Sequence, residues 1–457
     1  MGSFFDRERQ IASPAYNRWL APPAALAIHL CIGQVYAFSV FNLPMTKLIG
    51  VTRSAPDDWT LTELGWIFSI AIAVLGLSAA IFGRWVETGG PRRAMAVAAL
   101  CFSGGFMASA IGVHLHSLWI VYLGYGVLGG VGLGIGYISP VSTLIKWFPD
   151  RPGMATGMAI MGFGGGAMIA SPLAVDLMKY FAAPDSAGVA KTFVTMGLMY
   201  FAIMMFGVLT VRVPADGWRP AGFAPRPRVS NLVIVGDVPV ERAFKTRQFW
   251  QLWLVLCMNV TAGIGVLGQA SPMIQEMFPG RVGAGAAAGF VGLLSLFNMA
   301  GRFIWSSASD YIGRRNTYAT FFVLGLVLYA AVPGIGHMGS VLIFVGAYAI
   351  ILSMYGGGFA TIPAYLKDVF GTMHVGAIHG RLLTAWAVAG VLGPVLVNYL
   401  RAFQIAHGVA KAESYDVTMY LMAALLVVGF VANWLVKPVE RRHYASGEVS
   451  PRLAEGH

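Results

Sequence analysis

The sequence predicts an all-α membrane protein of twelve transmembrane helices, arranged as two pseudo-symmetric six-helix halves. Three observations carry this. The 457 residues are 57% hydrophobic and only 11% charged, whereas an ordinary soluble domain carries about 25% charged residues. Twelve stretches approach the roughly 20 apolar residues that a membrane helix needs. The two halves of the chain also match one another at a constant offset.

So few charges could not cover the surface of a soluble chain this long, but lipid can replace water around an apolar exterior. The 57 glycines fit the same reading, because small residues let membrane helices approach closely. The net charge of +11 raises nucleic acid as a partner, but most basic residues fall in short loops between apolar runs, and no nucleic-acid-binding motif accompanies them. Cys31, Cys101 and Cys257 each lie in an apolar run without metal-ligand spacing, so neither a disulfide framework nor a metal site is expected. No cofactor is expected. The first eighteen residues are polar and include Arg7, Arg9 and Arg18, and the apolar run after them is too long for a cleaved leader.

Spans are expected near 19–45, 61–82, 94–114, 118–146, 153–181 and 192–212, then near 248–277, 284–309, 317–337, 340–367, 376–403 and 417–436. This divides the chain into an N-terminal half (1–212), a proline-rich cytoplasmic linker (213–247) and a C-terminal half with a tail (248–457). The linker reads as flexible and lying on the membrane surface. Arg92, Arg93, Lys146, Arg151, Arg314, Arg315, Lys367, Arg441 and Arg442 gather on one side with the linker. Only Lys47, Arg53, Arg281, Arg401 and Lys411 fall on the other. Both termini are therefore expected in the cytoplasm.

The internal repeat has an offset of about 223 positions. It pairs Glu87 with Asp310, Gly90 with Gly313, Arg92 with Arg315, Pro140 with Pro363, and Gly153 and Gly157 with Gly376 and Gly380. The loop after the second span reads GRWVETGGPRR (83–93), and its counterpart is SSASDYIGRRN (306–316). The first resembles the major facilitator signature in Gly83, Gly90, Arg92 and Arg93, with Glu87 in place of an Asp and Thr88 in place of a basic residue. An acid at a helix end and nearby arginines suggest a gate that pairs when the cytoplasmic side closes, formed by Glu87, Arg92, Arg93, Asp310, Arg314 and Arg315. Plain positive-inside loop charge is the other reading.

A narrower resemblance, to the oxalate/formate antiporter family close to the monocarboxylate transporters, runs over nearly the whole chain. It is carried by GQVYAFSVF (33–41), GLGIGYISP (132–140), KWFPDRPGMATG (146–157), NVTAGIGVLGQASPM (259–273), YGGGFATIP (355–363) and GRLLTAW (380–386). The resemblance implies the major facilitator fold, a monomer in the bacterial inner membrane, and small carboxylate anions as substrates. The Gly132, Gly134 and Gly136 run lies inside an apolar span, so it reads as close helix packing and not as a nucleotide loop.

Arg302 lies within the eighth span. Such a residue costs at least about 2.5–3.5 kcal/mol near the membrane centre and usually faces a cavity, though an Arg this near the helix end can also snorkel. Its guanidinium can fork onto a carboxylate, and the resemblance implies that role. Ser295 and Asn298 share its helix face. His29, with Gly33 and Tyr36 on its face, is open between a substrate or proton role and a core histidine. Tyr36, Tyr137 and Tyr355 are candidate cavity walls. Oxalate carriers of the family have a second cation, a Lys, in the eleventh span, and the matching position here is Trp386. Arg381 lies closer to the helix start. One Arg leaves a dianion poorly paired, which favours a monocarboxylate such as formate or lactate over oxalate. Anion exchange is the expected mode, with proton symport as the alternative and a non-transporting sensor after it.

Overall fold

The computed structural model describes residues 4–51, 53–220, 222–223, 232–234, 236–267 and 269–445. Among these, helices dominate and no extended sheet forms. The N-terminal half contains α1 (Arg18–Met45), α2 (Leu61–Gly89), α3 (Pro91–His114), α4 (Leu118–Trp147), α5 (Pro152–Phe181) and α6 (Val189–Thr210). The C-terminal half contains α7, in two pieces (Arg247–Gly265 and Ala270–Met277) bent by 55°, then α8 (Ala284–Ile312), α9 (Arg314–His337), α10 (Val341–Phe370), α11 (Val375–Ala406) and α12 (Glu413–Trp434). By length and composition ten of these qualify as membrane spans, and α7 does so as a bent pair. The twelfth, α8, is 29 residues long and carries Asn298 and Arg302 in its interior.

The repeat seen in the sequence has a backbone cause. Gly90 joins α2 to α3 with φ 82°, and Gly313 joins α8 to α9 with φ 85°. Only glycine adopts that region freely, so each half makes the same abrupt turn. Proline follows at the first position of α3, where its missing N–H costs nothing. Glu87 and Asp310 therefore sit in the last turns of helices that run beyond the expected 82 and 309.

Glycines set the helix contacts inside each half. A Cβ on Gly132 would press on the α3 backbone at Phe102, and one on Gly134 on Ser78 and Leu75 of α2. One on Gly33 would strike the Phe163 carbonyl of α5. Between the halves, α8 packs along α5, and α11 along α2. Two stretches depart from α winding: Gly33–Phe41 tightens to 3-10 geometry and Tyr122–Gly129 widens to π geometry. The first carries Tyr36 of the candidate site and the second ends about two turns before Tyr137, and winding changes of this kind often mark functional regions.

The described parts of the linker dock on the bundle. Val213 N–H donates to Gln10 O, and Ala12 N–H to Val213 O, both at 2.9 Å. Trp218 stands edge-on to Trp147 at 4.9 Å. On the other half, Ile234 N–H donates to Asp368 O (3.0 Å) and Val238 N–H to Phe370 O (2.8 Å). Borrowing carbonyls at helix ends satisfies linker backbone groups that water would otherwise have to serve. Residues 221, 224–231 and 235 lie outside the described set.

Candidate functional site

Arg302 is fully buried at the interface of the two halves. Its helix holds it from one side: Nε donates to Asn298 Oδ1 one turn back (3.1 Å). Across the interface Nη1 reaches the Ile160 carbonyl of α5 at 3.4 Å, while Nη2 has no hydrogen-bond partner. Phe163 and Phe359 lie under the guanidinium, with ring centres 5.6 and 5.3 Å from Cζ. No carboxylate within 4 Å pairs with it among the described residues. A buried cation faced by two rings and two neutral oxygens, of Asn298 and Ile160, is short of negative charge.

Around it stands an aromatic cage drawn from both halves. Trp386 of α11 packs against Tyr137 (5.4 Å), Phe163 (5.5 Å) and Phe359 (4.6 Å). Tyr36 of α1 packs edge-on to Phe163 at 5.1 Å, and its hydroxyl lies 3.5 Å from that of Tyr355 on α10. The Tyr36 and Tyr137 hydroxyls come close to the Arg302 guanidinium without a well-formed hydrogen bond to Nη2, and Tyr355 lies within its electrostatic reach. His29 stacks on Tyr137 (5.3 Å, 19°). Its Nε2–H donates to the Tyr137 carbonyl (3.0 Å), which leaves Nδ1 unpartnered. The Tyr137 hydroxyl and the Trp386 indole N–H also lack good partners. Four elements thus bring buried polar atoms without partners to one aromatic cluster between the halves, and buried polar groups are ordinarily satisfied.

The structure brings together Arg302, Asn298, His29, Tyr36, Tyr137, Tyr355 and Trp386. Ser295 stays outside, half-buried, with its hydroxyl donated to Val291 O (3.1 Å). Arg381 points away, to the Val240 carbonyl (3.2 Å) and over Phe244 (5.6 Å). Three cage residues escaped sequence reading: Phe163, Phe359 and His379. Phe359 is one turn from Tyr355, and His379 is two turns before Trp386, so helical spacing held a signal for both. Phe163 sits among glycines that gave none.

Toward the termini, the two acids of the repeat clasp the opposite half. Asp310 at the end of α8 accepts the N–H groups of Gly153 and Met154, at 2.9 Å each, from the first turn of α5. Glu87 at the end of α2 accepts Gly376 N–H (2.8 Å) from the first turn of α11 and pairs with Lys146 (2.9 Å). Both contacts place a carboxylate on a helix N-terminus, where free N–H groups and the helix dipole favour negative charge. The expected pairing with the signature arginines is met only by Arg314, 2.5 Å from Asp310. Arg92, Arg93 and Arg315 are turned elsewhere. Arg92 donates to Phe4 O (2.8 Å), Arg93 pairs with Asp6 (2.9 Å), and Arg315 donates to Trp434 O. They fasten the N-terminal segment and the end of α12 because backbone amides have already taken the acids.

The comparisons agree with this architecture. The oxalate:formate antiporter of Oxalobacter formigenes is 26% identical over 378 residues, covering 82% of this chain and 83% of that protein. Apicoplast pyruvate carrier 1 of Toxoplasma gondii is 25% identical over 536 aligned positions, covering 95% and 92%. Among solved structures, the proton:xylose symporter XylE superposes with a TM-score of 0.69 at 13% identity, covering 92% of this chain and 96% of that one, which is a likeness of fold. The model of the Major Facilitator Superfamily matches residues 24–394, and the chain belongs to that superfamily of membrane transporters.

Proposed function

We propose that the protein carries small monocarboxylate anions across the plasma membrane by alternating access, as an exchanger, with both termini in the cytoplasm. The observation that carries this is Arg302: fully buried, with Nη2 unpartnered and without a carboxylate partner, in a cage shared by the two halves. A carboxylate on the guanidinium supplies the missing charge through two parallel hydrogen bonds. Relatives named for oxalate, formate and pyruvate support a small carboxylate. The Trp386 position, apolar apart from one N–H donor, favours a single negative charge. Exchange follows if the empty carrier, with its charge uncompensated, reorients more slowly than the loaded one. The inward orientation of the termini rests on the basic residues gathered there.

Uptake of labelled formate, lactate and oxalate into empty and preloaded proteoliposomes tests this. Preloading should be required for rapid uptake. Arg302→Gln should lose about 100-fold in transport efficiency, the equivalent of about 3 kcal/mol for a charged hydrogen-bonded pair. Fast net uptake driven by a pH gradient into empty vesicles would replace exchange by proton symport. Transport unchanged by Arg302→Gln would remove the site assignment.

A further inference from the structure

We infer that His379 is a specificity-determining residue of the same cage, the neutral group that meets a second, uncharged polar atom of the substrate. This inference rests on the assignment of the carboxylate to Arg302. His379 lies in the second turn of α11 and is 1% exposed. Its ring centre is 5.8 Å from that of Tyr137, the ring on which His29 also stacks at 5.3 Å. Neither ring nitrogen of His379 has a hydrogen-bond partner. A histidine kept only for packing would be expected to satisfy at least one nitrogen, as His29 does through the Tyr137 carbonyl.

The neighbouring unpartnered groups define what fits. A neutral imidazole offers one donor and one acceptor, the Tyr137 hydroxyl either role, and the Trp386 indole a donor alone. None brings a charge. With the carboxylate on Arg302, the complement is an uncharged oxygen on the adjacent carbon, either a carbonyl or a hydroxyl. A second carboxylate would meet only neutral groups there, at high desolvation cost. A ligand without the second oxygen would leave His379 as it is. The site so built prefers 2-oxo and 2-hydroxy monocarboxylates to plain short acids and to dianions.

The test measures competition by pyruvate, lactate, acetate and oxalate against labelled lactate in proteoliposomes, for the wild type, His379→Phe, His379→Gln and Arg302→Gln. His379→Phe keeps the ring shape and removes both nitrogens. It should weaken pyruvate and lactate about 5- to 10-fold, the scale of one neutral hydrogen bond, and leave acetate within about 2-fold. His379→Gln, which retains a donor and an acceptor, should recover most of the difference. Retained acetate binding shows that the variant is folded. Equal weakening of acetate and lactate, or no change in either, overturns the role of His379 while Arg302→Gln still abolishes binding. Loss of the Arg302 effect, or a wild type that binds no carboxylate, overturns both readings. A wild type preferring oxalate overturns the inference alone.

Discussion

Asp310 and Glu87 occupy equivalent places in the two halves, and each holds the first turn of a helix from the other half. They are built to different tightness. Asp310 gives both oxygens to backbone N–H groups and shares a buried pair with Arg314, the two side chains being 3% and 5% exposed. Arg314 is held further by Ser309 and by Asp368 at 3.3 Å. Glu87 gives one oxygen to Gly376 and the other to Lys146, whose side chain is 31% exposed. A cavity of about 660 Å³ opens beside it, lined among others by Lys146, Ser142, Trp218, Lys367 and His374. One carboxylate is tied to two backbone N–H groups and a buried arginine; its counterpart is tied to one backbone N–H and a part-exposed lysine beside a cavity. A duplicated element need not keep duplicated strength, and the asymmetry assigns different work to the two. We propose that the α8–α5 clasp is the more rigid of the two and that the α2–α11 clasp is the part solvent reaches first.

Removing the acid at each position gives the largest test of that division. Asp310→Asn leaves Arg314 buried with Asp368 as its remaining carboxylate and turns an amide NH2 toward one of the two backbone donors. Breaking a buried pair costs about 3–5 kcal/mol, and the residual Asp368 contact argues for about 3. Thermal unfolding in detergent should show a clear drop in melting temperature, with transport reduced more than 10-fold. A drop no larger than that of Glu87→Gln would show that the two clasps are equivalent after all.

Much of this arrangement was legible in the sequence, and the physics explains where legibility stopped. The twelve segments and the repeat followed from hydropathy and from glycines whose positive φ no other residue supplies cheaply. Arg302 stood out because a buried charge is costly wherever it falls. The two helix-end acids could be located because they recur, but their partners could not. Backbone amides carry no sequence signature, so the arginines next to Glu87 and Asp310 looked like the natural partners, and three of those four hold terminal segments instead. His379 was passed over for the neighbouring Arg381, since charge draws attention that burial does not. Phe163 became visible only once α5 was laid against α8.

A smaller effect separates the clasps through the glycines they grip. A Cβ on Gly153 would run into the Ser306 carbonyl and the Arg314 guanidinium, and backbone cannot give way. A Cβ on Gly376 would meet the end of the Glu87 side chain first, with Ser142 Cβ at 3.0 Å. A carboxylate on a flexible stem beside a cavity can swing aside. Gly153→Ala should therefore destabilise by about 1–3 kcal/mol, as overpacking does, and slow transport. Gly376→Ala should cost less than about 1 kcal/mol and mainly disturb the Glu87 contact. The order of the two melting temperatures checks this, and a reversed order would make the α2–α11 contact the rigid one.

Glu87→Gln should give the smallest change. The Gln oxygen can still accept Gly376 N–H, so the lost part is the ion pair with Lys146. That lysine is nearly a third exposed and can be solvated from the adjoining cavity, which keeps the cost to about 0.5–1 kcal/mol. The loss should also depend on salt. At about 1 M ionic strength the Debye length shrinks to about 3 Å, and the difference between wild type and variant should largely vanish, while the defect of Asp310→Asn, whose partners are sealed from solvent, should persist. Melting temperatures of the three proteins at low and high salt provide the measurement. If the Glu87→Gln defect is large and insensitive to salt, Lys146 is tied as firmly as Arg314, and the α2–α11 clasp is as rigid as the α8–α5 clasp.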